Sequence, residues 1–316
     1  MEHSQNQVQV VDLGAAPGES VAGITSPVDP DVVVSQACPN CGATPAASTL
    51  RPTPNQQTQH SQSWVYAIGR IESRFPRISV EKELAQATGR ADTKGLTDRQ
   101  ALQSVLSKPE NRYLARQLCW VMTIQGQETY LLVPRDPADI SLLVEALRPN
   151  PTPSDLDVVI GMMGPIAPPE MCNGLTVPVV VFDQIYSFDR NALIKAIPKP
   201  EKSSMKEFGP AAEEVFDRII QMADNAGTAF GDRALNYLAV RYQAIYAKAA
   251  EYFEQNCSLS GVAVRRSQLS GPRTSLDVIF SYTHRSTDVV DKWSVRVDVT
   301  DEFPFLVTKL SPYYDR

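Results

Sequence analysis

The hydrophobic pattern of the chain changes at residue 64. Before it, short apolar patches are separated by long polar stretches, whereas the apolar run at 64–71 is typical of a buried strand. Two further apolar runs, at 119–124 and 128–133, flank a short polar segment with Gly126 at its centre, which predicts a β-hairpin. Between the first strand and the hairpin, helical spacing predicts three short helices, over 80–88, 98–107 and 110–117.

The remaining elements of this first half follow from the same periodicities. Thr97 precedes the helix at 98–107 and is expected to cap it, and Asp136 with Pro137 forms the expected start of a helix over 138–147. Two strands and a closing helix are then predicted, at 156–160, 177–182 and 190–197.

The second half begins with helices and ends with strands. Gly209 and Pro210 are expected to start one helix, and apolar residues at helical spacing predict one long helix over 232–255. The period then changes from 3.6 to 2, which predicts four strands, at 262–266, 276–282, 293–299 and 305–310. We expect an antiparallel meander covered on one face by the helix pair, with its last strand at an edge where a peptide could add.

These patterns predict an α+β fold in which helices pack on antiparallel or mixed sheets. A leader over 1–63 contains no aromatic residue and only one Lys or Arg, so it is expected to be disordered. Two α+β modules of similar size follow, over 64–198 and 208–316. The pattern leaves open whether the two modules form one compact domain.

Composition restricts the classes of function. Of the 316 residues, 43% are hydrophobic and 21% are charged, as in soluble globular proteins. The net charge of −6 and the lack of clustered Lys and Arg argue against nucleic-acid binding. The longest strongly apolar run is far shorter than the ~20 residues of a membrane span. Because the N terminus also lacks a signal-peptide pattern, we expect a cytoplasmic protein that does not bind membranes.

A Cys-x-x-Cys motif in the leader, formed by Cys38 and Cys41, is the candidate metal site. Two cysteines at this spacing can bind one tetrahedral zinc ion, but a closed structural site needs four ligands. The other two could come from the same motif of a second chain, which would give a homodimer, from His60 or His3, or from another cysteine. The alternative is a pair of unligated thiols.

The loop at 164–174 is the candidate site of the first module. Its prolines make a rigid frame that carries Glu170, Cys172 and Asn173. A nucleophilic Cys172 would need a base, and no histidine is near it in sequence. The number of cysteines is odd, at five, and no secretion signal is present, so we expect reduced thiols rather than disulfides.

Other catalytic patterns are missing from the sequence. It contains no glycine-rich phosphate-binding motif and no His-Glu-x-x-His. His284 lies close to Ser286 and Asp288, but the members of a catalytic triad usually come from separate segments. We therefore interpret this cluster as a polar turn.

Five segments of the chain resemble one known family. They are Trp-Val-Tyr-Ala-Ile-Gly-Arg-Ile at 64–71, Asn-Arg-Tyr-Leu-Ala-Arg-Gln-Leu-Cys-Trp at 111–120, Gly-Pro-Ile-Ala-Pro-Pro-Glu-Met-Cys-Asn-Gly at 164–174, Phe-Ser-Tyr-Thr-His-Arg at 280–285 and Leu-Ser-Pro-Tyr-Tyr-Asp-Arg at 310–316. The family is PatG, the cyanobactin maturation proteases of cyanobacterial ribosomal-peptide pathways. The segments resemble its C-terminal region, which follows a subtilisin-like protease and is a domain of unknown function.

The resemblance implies an accessory role rather than proteolysis. The chain has no equivalent of the subtilisin-like Asp, His and Ser motifs, and no catalytic residue can be transferred to it. We expect a non-catalytic interaction domain of a cyanobactin-like pathway that binds a precursor peptide or a partner enzyme. The alternative is an enzyme acting on a modified peptide, with Cys172 and Glu170, or His284, in its site. These side chains would then have to converge in one pocket.

Overall fold

The computed structural model describes residues 63–90, 95–197, 205–222, 224–269 and 271–315. All of the predicted leader except residue 63 therefore lies outside the described residues. The helices of the described part are α1 (Ile78–Arg90), α2 (Asp98–Leu106), α3 (Arg112–Gln117), α4 (Ile140–Ala146), α5 (Arg190–Ala196), α6 (Met205–Ile220), α7 (Phe230–Arg241) and α8 (Ala244–Glu254). Short 3-10 turns at Pro109–Asn111 and Pro137–Asp139 precede α3 and α4.

The strands form two sheets. They are β1 (Trp64–Arg74), β2 (Cys119–Ile124), β3 (Gln127–Pro134), β4 (Asp155–Ile166), β5 (Pro178–Asp189), β6 (Cys257–Arg266), β7 (Ser275–His284), β8 (Val290–Asp298) and β9 (Phe305–Pro312). The first five close into a barrel in the order β1-β2-β3-β5-β4, and the last four form a sheet in the order β6-β7-β8-β9. Only β3 and β5 pair in parallel, so the barrel is a mixed sheet.

The barrel closes because β1 pairs with both β2 and β4. At the same level β4 also pairs with β5, and its register shifts between Ile160 and Gly161. A Cβ atom at position 161 would collide with the backbone of Val181 and Phe182. Glycine therefore permits the close strand approach that this bulge requires.

The barrel strands are buried on both faces, which explains their unbroken apolar runs. On β1, Val65, Ala67 and Ile71 pack in the cluster that fills the barrel and contacts α1 to α4. Tyr66 and Ile68 point the other way, into a cluster that also contains residues of α5 to α8 and of the four-stranded sheet. One hydrophobic core thus joins the outer wall of the barrel to the second sheet.

The four-stranded sheet is the predicted antiparallel meander. Its pairing is antiparallel throughout, and the alternating apolar residues of β7 and β8 pack toward the helices. Two sheets with packed helices confirm the predicted α+β fold class. The predicted domain boundaries stay a prediction.

Two helix predictions differ from the structure. The long helix expected over 232–255 is two helices, because the chain leaves helical geometry at Tyr242. The Tyr242 hydroxyl there accepts a hydrogen bond of 2.9 Å from the backbone N–H of Leu310, a tertiary contact that sequence periodicity does not record. The helix expected to start at Gly209 and Pro210 begins earlier, at Met205, and contains Pro210.

Candidate functional site

The thiol of Cys172 is not a free nucleophile. It forms a disulfide with Cys119, with the two Cα atoms 5.8 Å apart, and both residues are buried. The expectation of reduced thiols is therefore wrong for this pair, whereas Cys257 is a free, buried thiol. No local pattern in the sequence indicates that these two cysteines, 53 positions apart, lie in contact. The bond fastens the Pro-rich loop to the outer wall of the barrel, where Val121 and Leu131 complete a small apolar cluster.

The other residues of the alternative enzymatic site do not gather around Cys172. Glu170 is exposed on the Pro-rich loop. His284 ends β7 in the other sheet, and its Nδ1 atom contacts the backbone N–H of Ser286 and the hydroxyl of Thr287. Within the described residues no contact joins His284 to Glu170 or Cys172. The interpretation of the His284 segment as a polar turn agrees with these bonds.

The zinc prediction concerns residues that lie outside the described ranges. Cys38, Cys41, His3 and His60 all belong to them, so a zinc site at this motif stays a prediction. Among the described residues, no group of three or more His, Cys, Asp or Glu could hold a metal ion. In the same part of the chain, no helix has the length and apolar composition needed to cross a bilayer.

The edge strand β9 is partly covered. It lies at the end of the four-stranded sheet, as predicted. The backbone N–H of Leu310 donates to the Tyr242 hydroxyl at 2.9 Å, and the backbone of Leu306 hydrogen-bonds to the Tyr237 hydroxyl. These two positions of β9 are therefore already occupied, which leaves less of this edge for an added peptide strand.

An open cavity lies between α1 and α2, beside the end of β1. We call it the α1–α2 groove; its volume is about 750 Å³. Its apolar lining consists of Phe75, Leu84, Ala85, Ala101, Leu102 and Leu147. Three carboxylates, from Glu72, Glu81 and Asp98, also line it, and all three residues are exposed. An apolar floor with a few polar groups at its rim is the usual composition of a ligand site.

The α2 wall of the groove is held firmly in place. Thr97 caps the helix as predicted, and Gln100 completes the capping box through its side chain and backbone. Arg99 and Gln100 also bind the loop after α4, where they donate to the Arg148 carbonyl and to Asn150 Oδ1, each at 2.7 Å. The α2 wall of the groove is thus fixed before a ligand binds, which lowers the entropic cost of binding on this side.

A polar cavity of about 230 Å³ adjoins the groove, since Glu72 and Arg99 line both. We call it the arginine cleft, because Arg70, Arg99 and Arg148 line it. Arg148 is bound within the protein: its guanidinium lies 3.3 Å from Asp155 and donates to the carbonyls of residues 156 and 188. The other two arginines have no carboxylate partner among the described residues.

The floor of the arginine cleft contains the buried carboxylate of Asp157. This group accepts hydrogen bonds from the Ile71 backbone N–H at 2.9 Å and from the Ser187 hydroxyl at 2.5 Å. Burial raises the pKa of Asp157, although these two donors and the Arg148 guanidinium favour its charged form. Because its bonds reach β1 and β5, Asp157 clamps three neighbouring strands at the end of the barrel.

Comparison with known proteins shows which family part of this chain resembles. Residues 202–313 match the PatG C-terminal family model. The resemblance to PatG drawn from the sequence is confirmed by this match. A solved structure titled PatG Domain of Unknown Function has the same fold, with a TM-score of 0.64 at 19% sequence identity. The alignment covers 79% of this chain and 98% of that structure. No curated protein matches the chain.

The PatG match and the cavities lie in different parts of the sequence. The residues that line the α1–α2 groove and the arginine cleft fall between 70 and 157, before the segment matched by the PatG C-terminal model. The matched segment instead forms α6 to α8 and the four-stranded sheet. The match therefore supports a PatG-type domain without assigning a role to either cavity.

Sequence reasoning did not find these cavities. The α1 and α2 helices were predicted, but the groove depends on the angle at which they diverge, and periodicity does not record that angle. One signal was present: Asp155 and Asp157 flank the start of a strongly apolar strand. A carboxylate inside such a run requires a buried partner.

Proposed function

We propose that this protein is a non-catalytic interaction module of a cyanobactin-like peptide pathway, and that it binds a peptide segment in the α1–α2 groove. The segment would belong to a precursor peptide or to a partner enzyme. The PatG family match supports the pathway, and the groove is the observation that supports peptide binding.

The composition of the groove indicates what such a segment contains. The apolar floor suits aliphatic or aromatic side chains, which gain roughly 25 cal/mol per Å² on burial. At the rim, Glu72, Glu81 and Asp98 form no ion pair with another described residue, and they favour a segment that also carries Lys or Arg. A volume of about 750 Å³ accommodates a few side chains.

The enzymatic alternative has less support. It requires a nucleophile or acid beside a base, whereas Cys172 is buried in a disulfide and His284 is bonded within its own turn. A binding role requires only a stable, complementary surface.

A randomised peptide library tests the proposal. Immobilised protein is incubated with synthetic nonapeptides, and the retained peptides are identified by mass spectrometry. Peptides with two or more apolar residues and at least one Lys or Arg should be enriched. Ala85→Arg, an exposed position that lines the groove, should abolish enrichment by filling it. Gln86→Arg is the matched control, because it adds the same charge at the next exposed position of α1, which does not line the groove.

Two results would contradict the proposal. One is the absence of enrichment by the wild-type protein. The other is equal enrichment by the Ala85→Arg and Gln86→Arg proteins, which would place the binding surface elsewhere. Thermal melts of both variants would show that each is folded.

A further inference from the structure

The strand β1 has an open edge at its C-terminal end. On one side β2 pairs with residues 70–74, but on the other side the pairing with β4 stops at Gly69, opposite Asp157. The β4 amide that would continue this ladder, that of Asp155, donates instead to the Thr152 carbonyl at 3.2 Å. Within the described residues, the side of β1 that faces away from β2 therefore has no partner strand from residue 70 onward.

The backbone groups on this open edge follow from the alternation of a strand. The Ile71 N–H points away from β2, because it donates to the carboxylate of Asp157 on β4. Peptide groups two residues apart in a strand point the same way, so the carbonyl of Ile71 and both backbone groups of Ser73 face the open edge. In the described part of the chain, no other element hydrogen-bonds to these three groups. The edge thus offers one donor and two acceptors.

The two cavities run along this open edge. Successive side chains of a strand point to opposite faces of its sheet. The α1–α2 groove is nevertheless lined by both Glu72 and Ser73, and the arginine cleft by both Ile71 and Glu72. Contact with residues of both faces places the cavities beside the edge of β1 rather than over one face. A ligand in the groove therefore lies where a further strand would pair with β1.

From this arrangement we infer that the α1–α2 groove binds its peptide in an extended conformation, as a strand added to the open edge of β1 at Ser73. Two alternate N–H groups of the peptide donate to the carbonyls of Ile71 and Ser73, and one peptide carbonyl accepts from the Ser73 N–H. This inference rests on the proposed function of the groove and adds the mode of binding, which is β-strand addition.

The added strand also defines which peptides fit. Its side chains alternate between two faces, so apolar residues at every second position reach the buried floor at Leu84 and Ala101. The residues between them face the rim. Three carboxylates and a single arginine line the groove, so its charge is negative and favours Lys or Arg at these intervening positions.

The sequences of the retained nonapeptides give the first test. An added strand predicts apolar residues two positions apart, whereas a peptide bound as a helix would carry them three and four positions apart. Helical spacing would overturn the inference while leaving groove binding intact. If the wild-type protein retains no nonapeptide, the proposed function fails and the inference fails with it.

The backbone hydrogen bonds are tested on one retained nonapeptide. Each of its amides is replaced in turn by an ester, which removes the N–H without adding bulk, and the affinity is measured by calorimetry. Two esters placed two positions apart should each lower the affinity about tenfold, while the ester between them should not. Equal affinity of all the ester peptides would overturn the inference.

Ser73→Pro makes the matching change in the protein. Proline removes the N–H and is tolerated at a strand edge where this group has no ladder partner, so thermal melts should show a folded variant. Its affinity for the same nonapeptide should fall about tenfold. Ser73→Ala keeps the N–H and should retain the affinity of the wild type. Unchanged binding by a folded Ser73→Pro protein would contradict strand addition, and if this variant does not fold, the ester series decides.

Discussion

The barrel and the four-stranded sheet bury their polar groups in different ways. The barrel wall is apolar on both faces, so its carboxylate at Asp157 lies inside the fold and must find donors there. The four-stranded sheet packs only one face on helices, and its carboxylate at Asp277 lies on the other face, paired with Arg296 at 2.7 Å. The closed sheet therefore holds Asp157 by internal hydrogen bonds, whereas the open sheet pairs Asp277, and also the buried Asp298, with arginines that reach solvent.

The same contrast applies to the cysteines. The barrel is fastened from outside by the Cys119–Cys172 disulfide, and the four-stranded sheet contains the free thiol of Cys257 at the start of β6. If the barrel depends on its disulfide and on the hydrogen bonds of Asp157, removing either should lower the free energy of unfolding much more than a similar substitution in the open sheet.

The largest expected effect is the loss of the disulfide. Changing both Cys119 and Cys172 to Ala should lower the free energy of unfolding by about 4 kcal/mol, since the bond closes a long loop in the unfolded chain. Cys257→Ala, a buried position without such a bond, should cost about 1 kcal/mol for its lost packing. Urea denaturation measures both. A double variant no less stable than Cys257→Ala would show that the barrel does not rely on this bond.

The next effect compares the two carboxylates. Asp157→Ala leaves a backbone N–H and a serine hydroxyl without their acceptor and removes a negative charge 3.9 Å from Arg148, so it should cost about 2–3 kcal/mol. Asp277→Ala removes a partly exposed ion pair and should cost less than about 1 kcal/mol. Urea denaturation at neutral pH measures both losses of stability. Equal losses at the two sites would contradict the difference between closed and open sheets.

The sequence predicts the open sheet better than it predicts the barrel. In the open sheet, alternation along β7 and β8 separates a buried face from a solvent face, so the meander was predictable. In the barrel both faces are buried, and a run such as 64–71 shows a strand but not its neighbours. Closure depends on β1 meeting β4 more than 80 residues later, a long-range pairing that no local pattern encodes.

The arginine cleft cannot be predicted from the sequence for the same reason. Arg70, Arg99 and Arg148 come from three separate segments, and each alone reads as a surface charge. Their convergence is a property of the closed barrel and the helices at its end. The Pro-rich loop is a candidate site in the sequence because its reactive residues lie close together there, but its cysteine forms a structural disulfide.

The barrel and the sheet also meet at a pair of carboxyl groups. Asp183 of β5 lies against Glu302, which precedes β9, and the Oδ2 and Oε1 atoms of the two are buried without another partner in the described part of the chain. Arg135 binds the opposite oxygen of Asp183 at 2.6 Å, and Arg233 donates to the backbone carbonyl of Glu302. Two carboxylates in contact are stable only while they share a proton.

This contact should make stability depend on pH. Burial first, and then the hydrogen bond and charge of Asp183, raise the pKa of Glu302 from 4.5 to about 7. Between these values the folded protein holds a proton that the unfolded chain has released. The free energy of unfolding should therefore be highest below the lower value and fall as pH rises to the upper one. Since Glu302 is only partly buried, we expect a loss of about 1 kcal/mol after solvent screening.

Glu302→Gln tests this smallest effect, because a glutamine amide donates to Asp183 at every pH. Urea denaturation from pH 4 to pH 8 should show a stability difference between the variant and the wild type that grows as pH rises through the window. Asp157 also has a raised pKa, so the informative quantity is this difference rather than the wild-type curve alone. Glu145→Gln, on an exposed position of α4, should leave the pH dependence unchanged. If the Glu302→Gln variant also shows the pH dependence of the wild type, the two carboxyl groups do not hold a proton between the barrel and the sheet.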